Sequence, residues 1–309
     1  MEIETKTKSK KIDGIDILLI IAMLLPFCGC MLLKILTTAA TEGISVDGPQ
    51  IYLELALFEP KFLHLIITES QVISWAVVLT LFFFTLFLTR NLRVREISTR
   101  QVIAEFIVNA VDNLVHTNMG EFFMGFAPFI TAILGLSAFS SLASLLGLFP
   151  ATADINVIAG WGITVFILIT HFKLKGGVWN YVKGYFEPIP VFAPLNLLGE
   201  VATPVSMSFR HYGNVLSGVC ISALITAALT GLSRTLLGFI PDTVLNWLPP
   251  FLRIGVPAVL SIYFDIFSGC LQAFIFSMLT MLNISTGFPA DQYEEQQAKK
   301  AAKKQAKNA

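Results

Sequence analysis

The stretch "PLNLLGEVATPVSMSFRHYGNVLSGVCISALITAALTGL", residues 194–232, is apolar or small almost throughout and carries two charges, Glu200 and Arg210. It is nearly twice as long as the roughly 20 residues that a helix needs to cross a hydrocarbon core. Each helical residue adds about 1.5 Å against a core of roughly 30 Å, so such a helix must tilt steeply, bend or extend past the bilayer. A second overlong run covers 251–284, and shorter ones lie at about 15–39, 71–89, 121–149 and 155–172. Pro204 and Pro257 offer a bend in the two long runs.

Six crossings are therefore predicted, and the composition agrees. The 309 residues are 55% hydrophobic and 14% charged, with a mean hydropathy of +0.72, the profile of an all-α polytopic membrane protein and not of a soluble domain. Net charge is zero, so the bias between loops carries more information than the total. Lys6, Lys8, Lys10 and Lys11 precede the first run; Arg90, Arg93, Arg95 and Arg100 follow the second; Lys173, Lys175 and Lys183 follow the fourth; Lys299, Lys300, Lys303, Lys304 and Lys307 follow the sixth. Sixteen of the 21 basic residues thus fall on one side, which the positive-inside rule makes cytoplasmic, and both termini lie there with them. Lys34, Lys61, Arg234 and Arg253 remain near the opposite side, and Arg210 alone sits inside a span.

The chain divides into a membrane helix with an external loop (1–70), a membrane helix followed by an amphipathic surface helix (71–120), a helical hairpin (121–175), a long tilted hairpin (188–286) and a basic tail (287–309). The first run with "LTTAA" after it also fits a signal peptide cut near Ala39 or Ala40, although its length favours a retained helix. In the surface helix, Ile103, Phe106, Ile107, Ala110, Val111 and Leu114 recur at helical spacing opposite Gln101, Glu105, Asn109, Asp112 and Asn113. The tail reads as a solvated helical end with some attraction for anionic lipid. Cys28, Cys30, Cys220 and Cys270 show neither CxxC nor zinc spacing and read as small buried hydrophobes. His64, His116, His171 and His211 fit no metal spacing, so an interfacial or cavity role is expected of them and no metal. Asp154 and Asn156 read as a helix cap.

In the fifth run Ser206, Arg210, Gly213, Asn214 and Ser217 fall three and four apart, and in the sixth Ser261, Asp265, Ser268, Gly269 and Gln272 do the same. Each set forms one polar stripe that should face the other or a polar cavity, not lipid. Serines and glycines alone would be explained as packing between membrane helices. Arg210 changes that, because a mid-membrane charge costs roughly 2.5–3.5 kcal/mol and marks an ion pathway or a counter-ion. Arginine stays protonated, so its role is a fixed positive charge and not a proton carrier. It needs a carboxylate to act on, and Asp265 and Glu200 are the acidic residues these two runs offer before the C-terminal end. A self-contained ion or anion transporter is the alternative function class, but it predicts inverted repeats and broken half-helices, neither of which is visible.

"PLNLLGEVATPVSMSFRHYGN" (194–214), "LQAFIF" (271–276) and "LLGLFPATADIN" (145–156) together resemble subunit a, the ion-channel stator of F-type ATP synthases, and the resemblance covers about residues 70–285. It implies a multi-pass subunit of the bacterial inner membrane pressed against a rotating ring of hairpins (subunit c), each carrying one ionisable carboxylate, with peripheral-stalk subunit b and the remaining synthase as further partners. It implies no cofactor, no nucleic acid and no catalytic site on this chain, in keeping with the lack of a G-x-x-x-x-G-K-[ST] phosphate loop. Arg210 matches the family's essential arginine, Asn214 follows it by four, and Gln272 matches the glutamine opposite.

This chain departs from the pattern where Asp265 replaces a commoner His or Glu, where Val219 replaces a frequent Glu, and in its additional first helix. With Gln272 level with Arg210, Asp265 lies about 10 Å to the outside, and Glu200, Thr203 and Ser206 lie to the inside. The resemblance implies two offset half-paths for protons or sodium ions. Asp265, Asn214, Ser217, Ser261 and Ser268 line the outer one and Glu200, Thr203 and Ser206 the inner, with Arg210 between them.

Overall fold

The computed structural model describes residues 13–37, 48–56, 64–94, 97–187, 189–237, 251–291 and 293. Lys6, Lys8, Lys10, Lys11, Lys61, Arg95 and the basic tail from 294 lie outside the described residues. In chain order the elements are α1 (Gly14–Thr37), β1 (Ile51–Ala56), β2 (His64–Thr68), α2 (Glu69–Thr89), α3 (Thr99–Met119), a 3-10 stretch (Glu121–Phe126) leading into α4 (Ala127–Ala143), α5 (Ile155–Leu174) and α6 (Val178–Tyr185). They continue with α7 (Ala193–Leu236), α8 (Phe251–Ser261), a π-helical turn (Ile262–Ser268) and α9 (Gly269–Gly287). Six helical segments are long and apolar enough to cross a membrane: Gly14–Thr37, Glu69–Thr89, Glu121–Leu146, Ile155–Leu174, Pro190–Leu236 and Gly255–Gly287. The protein is all-α and polytopic, as its apolar runs predict. The exception is a small antiparallel hairpin in the first loop, pairing Ile51 with Thr68 and Ala56 with His64. Its strands are too short and too apolar to be told from helix by periodicity alone.

Because the spans alternate in direction, Arg90, Arg93, Arg100, Lys173, Lys175 and Lys183 gather at one end of the bundle and Lys34 at the other. α1 is clasped to α2 at both ends. Asp16 meets Arg90 at 3.1 Å and Arg100 at 2.7 Å, while Lys34 meets Glu69 at 3.0 Å. Between them the Thr80 hydroxyl donates to the Met23 carbonyl at 3.0 Å. Asp16 and Glu69 are both buried, and a buried carboxylate is tolerated only with such partners.

α3 begins at Ser98, whose hydroxyl accepts from the Gln101 amide. Its Val111, Val115 and Met119 enter the core, whereas Ile103 and Phe106 stay exposed, the distribution of a helix lying along an interface. The main core joins α3, α4, α5, α7 and α9 through Val115, Ile130, Val165, Ile169, Met207, Phe276, Met281 and Ile284. A smaller cluster ties α1 and α2 to the end of α4 through Cys30, Ile73, Val77, Ala143 and Leu148. The four cysteines are free. Cys30 is buried as expected, but Cys28 and Cys270 are exposed, because in a bilayer an outward thiol meets lipid and not water.

α7 differs from the rest. Only 6% of its most apolar window is buried, the smallest share among the six spans, so most of its surface is open along a helix of 44 residues, about 66 Å at 1.5 Å per residue. It packs on α5 at Gly162, where an added Cβ would stand 2.2 Å from Ser208 Oγ. A side chain at 162 would have to displace the Ser208 hydroxyl.

Candidate functional site

On α7 the buried positions include Pro204, Met207, Ser208, His211 and Gly218, while Thr203, Ser206, Arg210 and Ser217 are exposed. At about 100° per residue these are two faces of one helix, their centres about 110° apart. The stripe predicted from spacing therefore exists: Ser206, Arg210 and Ser217 look out of the chain, while Asn214 meets the counterpart stripe. Arg210 forms no hydrogen bond or ion pair among the described residues, and neither expected carboxylate reaches it.

Asn214 is half-buried and its Nδ2 donates to Ser268 Oγ at 2.7 Å. α7 and α9 run in opposite directions, so one turn back from Asn214 and one turn on from Ser268 bring Arg210 and Gln272 to the same level. Gln272 itself is buried. The second stripe is not straight. The chain is wound as a π-helix from Ile262 to Ser268, which turns less per residue than the 3.6-residue spacing assumes. Ser268 stays on the side of Asn214, while Asp265 turns to the hydroxyls of Ser144, at the end of α4, and of Ser261. Gly269 follows at once, and a Cβ there would stand 2.5 Å from Ser141 Cβ. A periodicity argument has no access to the π turn, which the contact between Gly269 and Ser141 accompanies.

At the opposite end of the stripe Glu200 is held by Lys173 at 3.0 Å and accepts from Tyr181 at 3.0 Å and from Tyr185. Tyr181 and Tyr185 also share a hydrogen bond. Burial, and then the hydrogen bond it donates to Glu200, push the Tyr185 phenol well above its ordinary range, so it stays a donor. The cluster borders a cavity of about 460 Å³ whose lining includes Lys173, Tyr181, Tyr185, Glu200 and Thr203. The Thr203 hydroxyl itself donates to the Gly199 carbonyl. Lys173, Tyr181, Tyr185 and Ser144 were not legible as site residues. The four-residue spacing of the tyrosines was the only local signal, and nothing in the sequence joins them to Glu200.

Asp154 caps α5 by accepting from the Asn156 amide at 2.9 Å, and it also accepts from Ser70. His211 lies in the core with no exposure, not at an interface, because its helix turns position 211 inward. His116 does lie at the surface, 3.9 Å from Glu121.

The family model for the ATP synthase A chain matches residues 71–285. The chain belongs to that family. The matched segment runs from α2 into α9 and contains Glu200, Arg210, Asp265 and Gln272, leaving α1 and the hairpin outside it. ATP synthase subunit a of Desulforamulus reducens is 30% identical over 222 residues, covering 70% of this chain and 78% of its own. The subunit a of Bacillus pumilus is 32% identical over 211 residues, covering 64% and 82%. The sodium ion specific subunit a of Propionigenium modestum is 28% identical over 246 residues, covering 74% and 77%. As a member of the ATP synthase A chain family, the protein is a multi-pass membrane-sector subunit of an ion-translocating complex. That membership favours a subunit of a larger assembly over a self-contained transporter.

Proposed function

We propose that the chain is the stator of the membrane sector of an F-type ATP synthase, and that α7 and α9 pass ions to and from carboxylates on a rotating ring of hairpin subunits. The observation that carries this reading is Arg210, a permanent cation on the exposed face of a membrane-spanning helix with no counter-ion among the described residues. Such a charge calls for an anion supplied by a neighbour.

In this reading an ion enters from outside past Asp265, Ser261 and Ser144, continues by Ser268, Asn214 and Ser217, and neutralises a ring carboxylate. The neutral, loaded carboxylate can enter lipid, whereas the ionised form needs a partner. Rotation brings it to the inner path at Ser206, Thr203, Glu200 and the adjoining cavity, where the ion leaves. Arg210 then attracts the emptied carboxylate and repels a cation that would pass straight between the paths. Gln272, level with it but buried, stands behind that face. The chain supplies electrostatics and positioning and has no catalytic role in ATP chemistry, which belongs to other subunits. Either a proton or a sodium ion fits, because the selecting carboxylate sits on the ring.

Subunit b and the ring are the proposed neighbours, and the bacterial inner membrane the location. α1 is retained as a working helix, supported by its ion pairs to α2 at both ends. Both termini are cytoplasmic, supported by the basic residues gathered at one end of the bundle; a reporter fused after Ala309 that became active outside the cell would overturn this. Isolating the tagged chain from solubilised membranes tests the assignment as a whole. Ring and stalk subunits should come with it, and a chain purified alone that carried out transport in vesicles would contradict the stator reading.

The inner cluster makes a separate prediction. Removing Lys173 leaves the carboxylate of Glu200 buried with two phenols and no cation, so Lys173→Ala should destabilise the chain by on the order of 3 kcal/mol. Adding Glu200→Gln should recover most of that loss, because the uncompensated charge goes with it. The amount of chain in assembled complexes reads both, and an unchanged amount for Lys173→Ala would sink the role assigned to the pair.

A further inference from the structure

We propose that His211 is a positioning residue that fixes the rotation of α7 about its own axis and so the direction in which Arg210 points. The proposal rests on the ion-path reading of Arg210. Outside its polar stripe the lipid-facing surface of α7 is apolar, with Val205, Phe209 and Leu224 exposed. Lipid does not distinguish one apolar face from another, so the hydrophobic effect cannot set the helix's rotation within a membrane. Directional contacts must do it.

His211 supplies them from three helices at once. Its Nε2 shares a hydrogen bond with Ser137 Oγ of α4 at 3.2 Å. Its ring meets Trp161 of α5 edge-on at 6.0 Å and 84°, and Phe276 of α9 at 5.6 Å and 82°. The side chain has no exposure, and no charged group of the described residues lies against the ring, which leaves it no evident part in carrying the ion. As the next residue in the chain it stands about 100° around the helix from Arg210, so clamping it aims the guanidinium outward. A 20° error in rotation moves an atom about 6 Å from the axis by about 2 Å. Misplacement by about 1 Å can already cost on the order of 100-fold in an aligned charge-transfer site.

The test uses whole complexes in membrane vesicles and reads ions pumped per ATP hydrolysed, by dye quenching for protons or radiolabelled sodium uptake. A merely structural histidine would change the amount of complex and leave that ratio alone. His211→Leu, which removes the hydrogen bond and the ring, should lower the ratio by on the order of 10-fold. Ser137→Ala, a small change on another helix, should lower it by a few-fold, on the order of 3-fold, through the same bond. His211→Gln, whose amide nitrogen can stand where Nε2 stands, should recover part of the loss. Ser137→Ala added to His211→Leu should cost nothing more. Wild-type ratios in Ser137→Ala overturn the proposal, including in the case where His211→Leu fails to assemble. Should Arg210→Ala pump normally, the ion-path reading falls; if it is inactive while His211→Leu and Ser137→Ala keep normal ratios, the positioning role alone is wrong.

Discussion

Arg210→Ala is expected to abolish ATP-driven ion pumping while the complex still assembles. The side chain is exposed on its own chain and forms no hydrogen bond or ion pair among the described residues, so its removal leaves no buried group unpaired and opens no cavity in the core. What disappears is the charge that meets an emptied ring carboxylate. Taking one preorganised charge or donor from a desolvated site costs on the order of 100-fold or more, and here no second cation of the described residues lies on the α7 stripe to replace it. Passive leak should persist or rise, because the barrier to a cation moving between the two paths is gone. Coupled pumping at the normal rate by vesicles containing the variant would contradict the role. Arg210→Lys separates charge from shape: a lysine loses the planar fork and can shed its proton when desolvated, so it should fail almost as badly. Retained pumping would mean that charge alone is enough.

Asp265→Asn is expected to slow both pumping and ATP synthesis by on the order of 100-fold, the lower end of the range for loss of a positioned proton-transfer group. Coupling should survive, because Arg210 is untouched. The substitution keeps the shape, and asparagine still presents a carbonyl oxygen to Ser144 and Ser261, the two hydroxyls that face Asp265. A residue needed only for those hydrogen bonds would therefore tolerate the change. Asp265→Glu, which keeps a carboxylate on a longer stem, should retain part of the rate. Wild-type rates for Asp265→Asn across pH 6 to 9 would show that the carboxylate has no part in the outer path.

Most of this architecture was legible because a bilayer imposes simple rules. The run from 194 to 232 could only be a long membrane helix, and its backbone is one helix from Ala193 to Leu236. The spacing that put Ser206, Arg210 and Ser217 on one face also holds, since an α-helix keeps its period. At Asp265 the chain leaves that period for a π turn, which spacing alone does not reveal, and the carboxylate faces Ser144 of the α4 end as well as its stripe neighbour Ser261. Glu200 takes its partners Lys173, Tyr181 and Tyr185 from two other helices, and only tertiary packing joins them to it, so spacing does not reveal them. His211 was misjudged for a related reason. One residue from an exposed arginine, it faces the core, and the sequence gives the angle between the two but not which side of the helix the neighbours occupy.

The central claim is that the Arg210 face of α7 meets the ring carboxylates. Disulfide cross-linking in whole complexes tests it most directly, after the free cysteines Cys28, Cys30, Cys220 and Cys270 have been replaced by serine. A cysteine at Ser206 or Ser217, on the exposed face, is paired with one placed a helical turn from the carboxylate on the ring hairpin. Met207→Cys and Ser208→Cys, on the buried face, serve as controls. Cross-links should form from positions 206 and 217 only, stop ATP-driven pumping when formed, and release it again on reduction. Cross-links from 207 or 208 with none from 206 or 217 would contradict the account, because Arg210 would then face away from the ring.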